Sequence, residues 1–166
     1  MIIRHTQTQD MPAVLDIYAA ARAYQREILH LNQWRDDYPN EISLRQDMDE
    51  QGSYIVEDEG EIVATFFLQE GPDETYLALM GATPNLDDLV TIHRIGVKHA
   101  GKGYGRRIMQ WITQHHRQVM IDTHAQNSVM LKLIEDFSFN YLGIVQVADG
   151  TDRNTYIFSH KNPKEG

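Results

Sequence analysis

The sequence has 166 residues, of which 42% are hydrophobic, so its length and composition suit one domain built around a single sizeable core. Its formal net charge of −9 argues against a nucleic-acid partner, because phosphate backbones demand a basic surface, and favours cationic ligands such as amines. The chain has no cysteine, which excludes disulfides, thiolate nucleophiles and thiolate metal ligands.

The first part of the chain is predicted to form a short strand and two helices. The strand occupies residues 2–6, and the first helix is capped by Thr8 or Asp10. Residues 42–51 form the second helix, and Gly52 fits its C-terminal stop. Helical spacing gives the first helix one buried side, formed by Val14, Ile17, Tyr18, Ala21 and Gln25.

Residues 30–40 interrupt the helical periodicity with Asn, Asp and Pro, so we predict a loop between the two helices. Its large aromatic residues, Trp34 and Tyr38, allow two interpretations that the sequence leaves open: they close one end of the core, or they contact a ligand. Asp36 and Asp37 would suit a cationic amine, although an acidic pair on a loop is more often simply solvated.

The middle of the chain is predicted to form a β-hairpin and then an inserted segment. Residues 53–57 and 61–68 form the two strands, and Gly60 supplies the turn between them. Residues 69–88 contain one short apolar run at 76–80, which we interpret as an extra edge strand followed by a loop. Neither these residues nor the rest of the chain provide an apolar run of the length of a signal peptide or a membrane span, so we predict a cytosolic location and no membrane partner.

Residues 90–112 carry the most informative functional pattern, which predicts a strand, a glycine-rich loop and a helix. Gly101, Gly103 and Gly105 let the backbone turn sharply and leave its N–H groups uncovered, and a helix N-terminus adds further free N–H donors and a partial positive charge. Full positive charge is added at the same point by Lys102, Arg106 and Arg107. Together these features predict a cradle for a phosphate or pyrophosphate.

Glycine spacing excludes two kinds of phosphate cradle. In the dinucleotide-binding fingerprint, counted from Gly101, the third glycine would fall on Arg106. The phosphate loop of nucleotide triphosphatases requires Gly-Lys-Ser or Gly-Lys-Thr, whereas residues 101–103 are Gly-Lys-Gly.

The remaining pattern is Gly96-Val97 followed by residues 100–105, and it resembles motif A of the GCN5-related N-acetyltransferases (GNAT family). The sequence departs from the family at Ala100, where the family has Arg or Gln. A second departure is Ile134, which stands where many relatives have a tyrosine that protonates the leaving thiolate. Beyond the loop, the resemblance continues in residue type and spacing through Asp122, Thr123, His124, Asn127, Met130, Leu133, Phe139 and Gly143.

The elements after the glycine loop complete the predicted fold. They are a helix at 104–117, a strand at 119–124, a helix at 127–137 and a hairpin of strands at 141–147 and 154–160. The resulting order, β-α-α-β-β-β-α-β-α-β-β, agrees with the resembled GNAT fold. We therefore predict an α/β (α+β) fold with a mixed, mostly antiparallel central sheet of about seven strands and helices on both faces. One N-acetyltransferase domain is predicted at residues 1–161, with a flexible C-terminal tail at 162–166.

The resemblance implies an acetyl-CoA-dependent N-acetyltransferase that transfers an acetyl group to a primary amine by direct attack in a ternary complex. The implied partners are acetyl-CoA (coenzyme A) and a small-molecule or peptidyl amine acceptor, and a homodimer is left open. The alternative from another class is a non-catalytic acyl-CoA-binding or regulatory GNAT-like protein, which Ala100 and Ile134 favour. A third alternative is a nucleotide-binding domain with a divergent phosphate loop.

The resemblance also assigns roles to particular residues. Asn127 would hydrogen-bond the cofactor, with a simple helix cap as the competing interpretation. The loop at 30–40 commonly covers the acceptor site in the family, which implies substrate contacts from Trp34, Asp36 and Tyr38. The remaining cofactor contacts would come from Ile95, Gly96, Val97, Gly101, Lys102, Gly103, Tyr104, Gly105, Arg106 and Arg107.

His93 is the leading candidate for the catalytic base. Strand alternation places it on the same face as Ile95 and Val97, and the unperturbed pKa of histidine lies near neutrality. Some arylalkylamine acetyltransferases have a catalytic histidine at the matching position, which supports the assignment by resemblance. The competing interpretation is a histidine that is hydrogen-bonded in the sheet and takes no part in proton transfer.

Asp122 and His124 alternate on the next strand and form the second catalytic candidate, a carboxylate-oriented histidine pair. The competing interpretation, favoured for Asp122, is that both residues cap the following helix or stabilise the end of the strand. No metal site is predicted, because the adjacent His115 and His116 point apart on a helix and give no coherent ligand spacing with His124.

Overall fold

A computed structural model describes residues 1–160; the predicted tail at 162–166 and the last residue of the predicted domain lie outside the described residues. None of the helices in the described part combines the length and the hydropathy that a membrane span requires. The helices and strands are β1 (Ile2–His5), α1 (Met11–Glu27), α2 (Glu41–Asp49), β2 (Ser53–Asp58), β3 (Glu61–Glu70), β4 (Leu89–Val97), α3 (Tyr104–His115), β5 (Gln118–Thr123), α4 (Ser128–Asp136), β6 (Asn140–Gln146) and β7 (Asp152–Ser159).

This order of elements is the one that the sequence predicts. Within residues 1–160 the seven strands form one sheet in the order β1-β2-β3-β4-β5-β7-β6. The pairs β1–β2, β2–β3, β5–β7 and β6–β7 are antiparallel, whereas β4 and β5 pair in parallel over residues 89–92 and 118–121. The mixed, mostly antiparallel sheet confirms the predicted fold class.

The extra edge strand predicted at residues 76–80 is wrong. Residues 76–79 belong to a short 3-10 helix, Glu74–Leu79, and Met80 is its C-cap. The carboxylate of Asp73 accepts a bond from the backbone N–H of Thr75 at 2.9 Å and so caps this helix. The apolar run is explained by burial of single side chains, since Tyr76 is fully buried while Leu77 is exposed.

The predicted capping of α1 is also corrected. Asp10 occupies the N-cap position, but its side chain makes no capping bond to the helix. Its carboxylate instead accepts from the backbone N–H of Gln7 at 2.7 Å and from the guanidinium of Arg4. The Arg4 guanidinium therefore holds the pKa of Asp10 below its usual value. Thr8 begins a 3-10 helix and does not cap α1.

The chain groups into two compact units. The first contains Met1–Gln69 and His93–Arg107, and the second contains Glu70–Ile92 and the described residues from Ile108 onward. A single domain over residues 1–161 therefore stays a prediction. The core of the first unit includes Met11, Val14, Tyr18, Trp34, Leu44 and Ile55. The core of the second unit includes Tyr76, Leu89, Met120 and Val145.

Candidate active site

The glycine loop of the first unit joins β4 to α3. Gly101 and Gly103 have φ angles of 79° and 78°, in the left-handed region that glycine adopts without steric cost. A Cβ atom added at either glycine would have no neighbouring atom within 4 Å, so both positions border open space. The carbonyl of Gly103 accepts from the N–H of Arg107 at 3.2 Å, which starts the hydrogen bonding of α3, and Gly105 lies in the first turn of that helix.

This loop has the properties that a phosphate group requires. The N–H groups in the first turn of α3 have no partner within the helix, and the helix adds its partial positive charge at the same end. Three basic side chains, those of Lys102, Arg106 and Arg107, are exposed there. The residues present therefore fit the pyrophosphate of coenzyme A, and the open space at Gly101 and Gly103 is the observation that supports the fit.

The loop is tied to the β2–β3 hairpin. The N–H of Lys98 donates to the carbonyl of Val63 at 2.8 Å, and its ammonium group pairs with Glu61. The hydroxyl of Tyr104 donates to the carboxylate of Asp58 at 3.0 Å, and this bond raises the pKa of Tyr104. The hairpin turn thus holds both ends of the loop.

Gly96, in the strand before the loop, cannot carry a side chain without displacing its neighbours. An added Cβ would lie 3.0 Å from Cγ2 of Ile17 and 3.7 Å from the ring of Trp34. Ile95 and Val97 flank this glycine at the end of β4 and are half-buried. Glycine at position 96 is therefore explained by close packing of β4 against α1.

His93 lies on β4 and is half-buried. Its Nε2 atom lies 3.0 Å from Oε1 of Gln69 on β3. Its ring stacks against the ring of Phe67, also on β3, with 6.0 Å between the centroids and 22° between the planes. Phe67 thus covers one face of the ring, and Gln69 holds its Nε2 atom.

The strand alternation used to place His93 does not hold through Arg94. This residue has a φ angle of 53°, a left-handed conformation inside a strand that costs a non-glycine residue about 1–2 kcal/mol. The side chains of His93 and Arg94 consequently both contact Phe67, with the Arg94 Cζ atom 4.7 Å from the centroid of the Phe67 ring. The face that Ile95 and Val97 present cannot be inferred from the position of His93.

Arg94 makes three side-chain hydrogen bonds within the first unit, and it is not among the residues that the sequence predicts for the site. Its Nε and Nη2 atoms donate to the two carboxylate oxygens of Asp47 on α2 at 2.7 Å and 2.5 Å. Its Nη1 atom donates to the hydroxyl of Tyr38 at 2.9 Å. The signal that could have found it is a guanidinium within the apolar run of a central strand, since a buried charge requires a partner.

Burial and pairing act in opposite directions on this cluster. Burial raises the pKa of Asp47, and its bonds to Arg94 only partly reverse that rise. For Arg94, burial is the largest influence and lowers the pKa, but the bonds to Asp47 and Tyr38 together outweigh it and leave the pKa above its usual value. Breaking this ion pair would therefore cost a large free energy, because it would leave one of the two charges buried without its partner.

The predicted acceptor loop is fixed to the C-terminal half of α1. Three side chains of α1 bond the loop: Arg22 donates to the carbonyl of Pro39, Gln25 accepts from the N–H of Trp34, and Arg26 donates to the carbonyl of Asp36. Trp34 is only 6% exposed and packs edge-on against Tyr18, which favours its interpretation as a core residue. Asp36 and Tyr38 are exposed and keep their place as candidates for acceptor contacts.

Asp122, in the second unit, is engaged by residues other than His124. The buried hydroxyl of Tyr76 donates to one of its oxygens, and Nε of Arg153 lies 3.9 Å from the other. Burial is the main cause of a raised pKa at Asp122, although Tyr76 and Arg153 both lower it. His124 lies beyond the end of β5, and its Nδ1 accepts from the N–H of Gln126 at 3.1 Å. In the described part of the chain these contacts support the strand-stabilising interpretation of Asp122 rather than the predicted pair.

Asn127 caps α4. Its Oδ1 atom accepts from the N–H of Met130 at 3.2 Å, and the residue is 8% exposed. This bond establishes the helix-cap interpretation, while the cofactor contact stays a prediction. Ile134, at the place of the family's tyrosine, is 2% exposed and belongs to the buried side of α4.

Comparison with known proteins identifies the class to which this fold and this loop belong. The model described as the Acetyltransferase (GNAT) family matches residues 12–139, and the chain belongs to that family. This finding confirms the resemblance and, with it, the predictions of an acetyl-CoA-dependent N-acetyltransferase and of acetyl-CoA as cofactor.

Several relatives are similar to the chain over nearly its whole length. Peptidyl-lysine N-acetyltransferase YiaC of Escherichia coli (strain K12) is 24% identical in a 162-residue alignment that covers 95% of each chain. An acetyltransferase of the GNAT family from Streptococcus agalactiae has a similar structure, with a TM-score of 0.83, 24% identity and coverage of 97% of this chain and 96% of that one. The structure of yncA, an acetyltransferase from Salmonella typhimurium with its cofactor acetyl-CoA, has a TM-score of 0.62 and 16% identity over 98% and 97% of the two chains. At these identities the structural likeness shows the fold alone.

Proposed function

We propose that the chain transfers the acetyl group to a primary amine by direct attack of the amine, with both reactants bound at once. The observation that supports this proposal best is the glycine loop, where Gly101 and Gly103 border open space in left-handed conformations at the N-terminus of α3. The chain has no cysteine, so an acyl-thiol enzyme intermediate has no nucleophile to form on.

The cofactor would be held by the loop and by the strand before it. Exposed Lys102, Arg106 and Arg107 would neutralise the phosphates, while the loop N–H groups would bond them. The backbone of Ile95, Gly96 and Val97, and the side chain of Asn127, are the other contacts that we assign on the family pattern. Bound acetyl-CoA supplies the thioester carbonyl that the amine attacks.

His93 is the group that we assign to proton transfer. An amine is a nucleophile only without its extra proton, so attack requires a group that accepts one. A half-buried imidazole, fixed against Phe67 and Gln69, suits this task because its ordinary pKa lies near neutrality. His93 would take the proton directly or through a water molecule.

The acceptor that we favour is the amine of a lysine side chain in a peptide or protein. The relative YiaC is a peptidyl-lysine N-acetyltransferase, and its similarity extends over 95% of this chain. Exposed Asp36 and Asp37 on the acceptor loop, and the net charge of −9, would draw a cationic side chain toward the protein. We include a cytosolic location in this proposal because it fits such an acceptor. Whether the chain forms a homodimer is left open.

A non-catalytic acyl-CoA-binding protein is the second candidate. The observation that favours it is Ile134, a fully buried apolar side chain at the place where the family's tyrosine protonates the leaving thiolate. If no side chain replaces that tyrosine, water must supply the proton.

Release of free thiol from acetyl-CoA distinguishes the two candidates. Lysine-containing peptides, polyamines, amino acids and aminoglycosides would be added separately to the protein and acetyl-CoA, with Gly103→Val as the binding-deficient control. We expect thiol release with lysine peptides and much less with the control. Tight binding of acetyl-CoA without thiol release from any amine would favour the non-catalytic protein.

A further inference from the structure

We propose that Gln69 is a positioning residue for His93: its side-chain amide holds the imidazole as the tautomer protonated at Nε2 and so puts the proton-accepting lone pair on Nδ1. The inference rests on the proposed role of His93 in proton transfer. It adds a residue that neither the glycine loop nor the family pattern indicates.

The tautomer follows from the chemistry of the contact. Oε1 of Gln69 lies 3.0 Å from Nε2 of His93, which is the distance of an ordinary hydrogen bond. An amide oxygen has lone pairs and no proton, so it can only accept. With the Gln69 amide in this orientation, the neutral imidazole donates from Nε2, and its basic nitrogen is Nδ1.

The position of Gln69 restricts the ring of His93 further. Phe67 and Gln69 are two residues apart on β3, so their side chains leave the same face of the sheet. Phe67 covers one face of the imidazole, and Gln69 bonds its Nε2 edge. Because β3 and β4 are neighbours in the sheet, both contacts are fixed by backbone that does not depend on a loop.

A neutral partner suits a base better than a carboxylate would. A carboxylate at this place would favour the imidazolium form and raise the pKa of the histidine, so that less neutral imidazole would be present at neutral pH. An amide orients the ring without that charge. Charged groups beside this cluster include Arg94, whose guanidinium lies over Phe67, and Asp47, whose carboxylate compensates it.

Nuclear magnetic resonance of the protein with ¹⁵N-labelled histidine tests the tautomer without cofactor or acceptor. The His93 signal is assigned by its loss in His93→Ala, and the His160 ring, which bonds the carbonyl of Thr113, is the internal reference. We expect the wild-type ring to carry its proton on Nε2, and we expect Gln69→Leu to give a mixture of tautomers. A wild-type ring protonated on Nδ1, or a tautomer that Gln69→Leu leaves unchanged, would overturn the inference.

Gln69→Glu supplies a test in the opposite direction. It keeps an acceptor at Nε2 but adds a negative charge, so the pKa of His93 measured by the same resonance should rise by about 1 unit or more. The acid limb of the pH profile of kcat/KM should then move to higher pH by the same amount. A rise in the resonance pKa without movement of that limb would show that His93 does not govern the rate.

The kcat values of two glutamine variants give a further test of the positioning role. Gln69→Leu should lower kcat by roughly tenfold, less than the loss of the base itself, while calorimetric affinity for coenzyme A stays at the wild-type value. Gln118→Leu is the matched control, because Gln118 is a half-buried glutamine whose side-chain amide donates to the carbonyls of Asn85 and Asp87. We expect this control to leave both the tautomer and kcat unchanged.

Different results would overturn the positioning role of Gln69 and the base role of His93. An inactive His93→Ala together with a tautomer that does not depend on Gln69 would overturn the positioning role and leave the base role in place. A fully active His93→Ala would overturn the base role and with it the catalytic meaning of the Gln69 contact, even if the tautomer depends on Gln69.

Discussion

At the scale of single residues, the polar side chains most important for the candidate site and for stability have their partners on another strand or helix. His93 could be selected from its residue type and its place before the glycine loop. Gln69 could not, because its importance comes from its contact with His93 and not from any local pattern. The local signal for Arg94 is a guanidinium within an apolar run, but its partner Asp47 is not part of that pattern.

His93→Ala is expected to lower the acetylation rate by roughly 10² to 10⁴, the range for losing a positioned general base. Affinity for coenzyme A should stay near wild type, because the cofactor is assigned to the loop and the backbone. The residual rate should rise with pH as free amine accumulates, without the limb that histidine titration imposes. Steady-state kinetics over pH and calorimetric titration check this prediction.

His124→Ala serves as the comparison and should show a smaller loss of rate. Its ring nitrogen already accepts from the backbone of Gln126, and Asp122 is engaged by Tyr76. A near-normal rate for His93→Ala beside a collapsed rate for His124→Ala would move the proton-transfer role to His124.

Asp47→Ala should destabilise the fold by about 3–5 kcal/mol, because it leaves the guanidinium of Arg94 buried without its carboxylate. The side chains of this pair are 15% and 4% exposed. Arg94→Leu should cost less, because Asp47 can take up a proton in a buried site whereas a guanidinium cannot lose one. Urea denaturation measures both free energies of unfolding.

The control for this pair is Arg45→Ala, which breaks the exposed pair of Arg45 with Glu41 on the same helix as Asp47. That change should alter the free energy of unfolding by less than about 0.5 kcal/mol. Equal effects of Asp47→Ala and Arg45→Ala would mean that the buried pair contributes no more than a surface pair.

At the scale of elements, the glycine loop behaves as its sequence predicts, whereas the inserted segment at 69–88 does not. Apolar spacing over so short a run cannot separate a strand from a 3-10 helix. The 3-10 helix is favoured by Asp73, which caps it, and by Tyr76, whose side chain is buried in the core of the second unit.

Gly103→Val should weaken coenzyme A binding by roughly tenfold or more, because the side chain blocks the open space at the loop and opposes a φ angle of 78°. Gly150→Val is a matched control. Gly150 has a φ angle of 80° and equally open surroundings, but it lies between β6 and β7. Both variants should lose similar stability in thermal unfolding, and calorimetry should show lost affinity for Gly103→Val only. Unchanged affinity in folded Gly103→Val would refute the phosphate cradle.

Tyr76→Phe should destabilise the fold by about 1–3 kcal/mol, since it removes the hydroxyl that donates to the buried Asp122. Burial raises the pKa of Asp122 and the Tyr76 bond lowers it, so the variant should have a still higher pKa. When the pKa of a carboxyl is higher in the folded protein than its unfolded value of about 3.9, the fold loses stability as the pH rises through the folded pKa. The destabilisation should therefore be larger at about pH 7 than at about pH 4, as measured by urea denaturation. An effect independent of pH would contradict this account of Asp122.

At the scale of the whole molecule, the net charge of −9 should govern association with a cationic acceptor. With acetyl-CoA saturating, kcat/KM for a lysine peptide should fall several-fold as salt rises from about 0.05 to 0.5 M, because screening shortens the reach of the acidic surface. An uncharged aromatic amine should show little change over the same range. Equal salt dependence for both amines would argue against electrostatic attraction of the acceptor.

The resemblance to the GNAT family implied the mostly antiparallel sheet, and the sequence by itself determined the order of the helices and strands and the glycine loop. These depend on spacing within a few residues of one another, where backbone geometry and apolar periodicity act. Only the tertiary structure decided which buried polar groups are paired, because the partners are far apart in the chain and meet only when strands and helices pack. The three pairs concerned are separated by 24, 46 and 47 residues: His93 with Gln69, Asp122 with Tyr76, and Arg94 with Asp47.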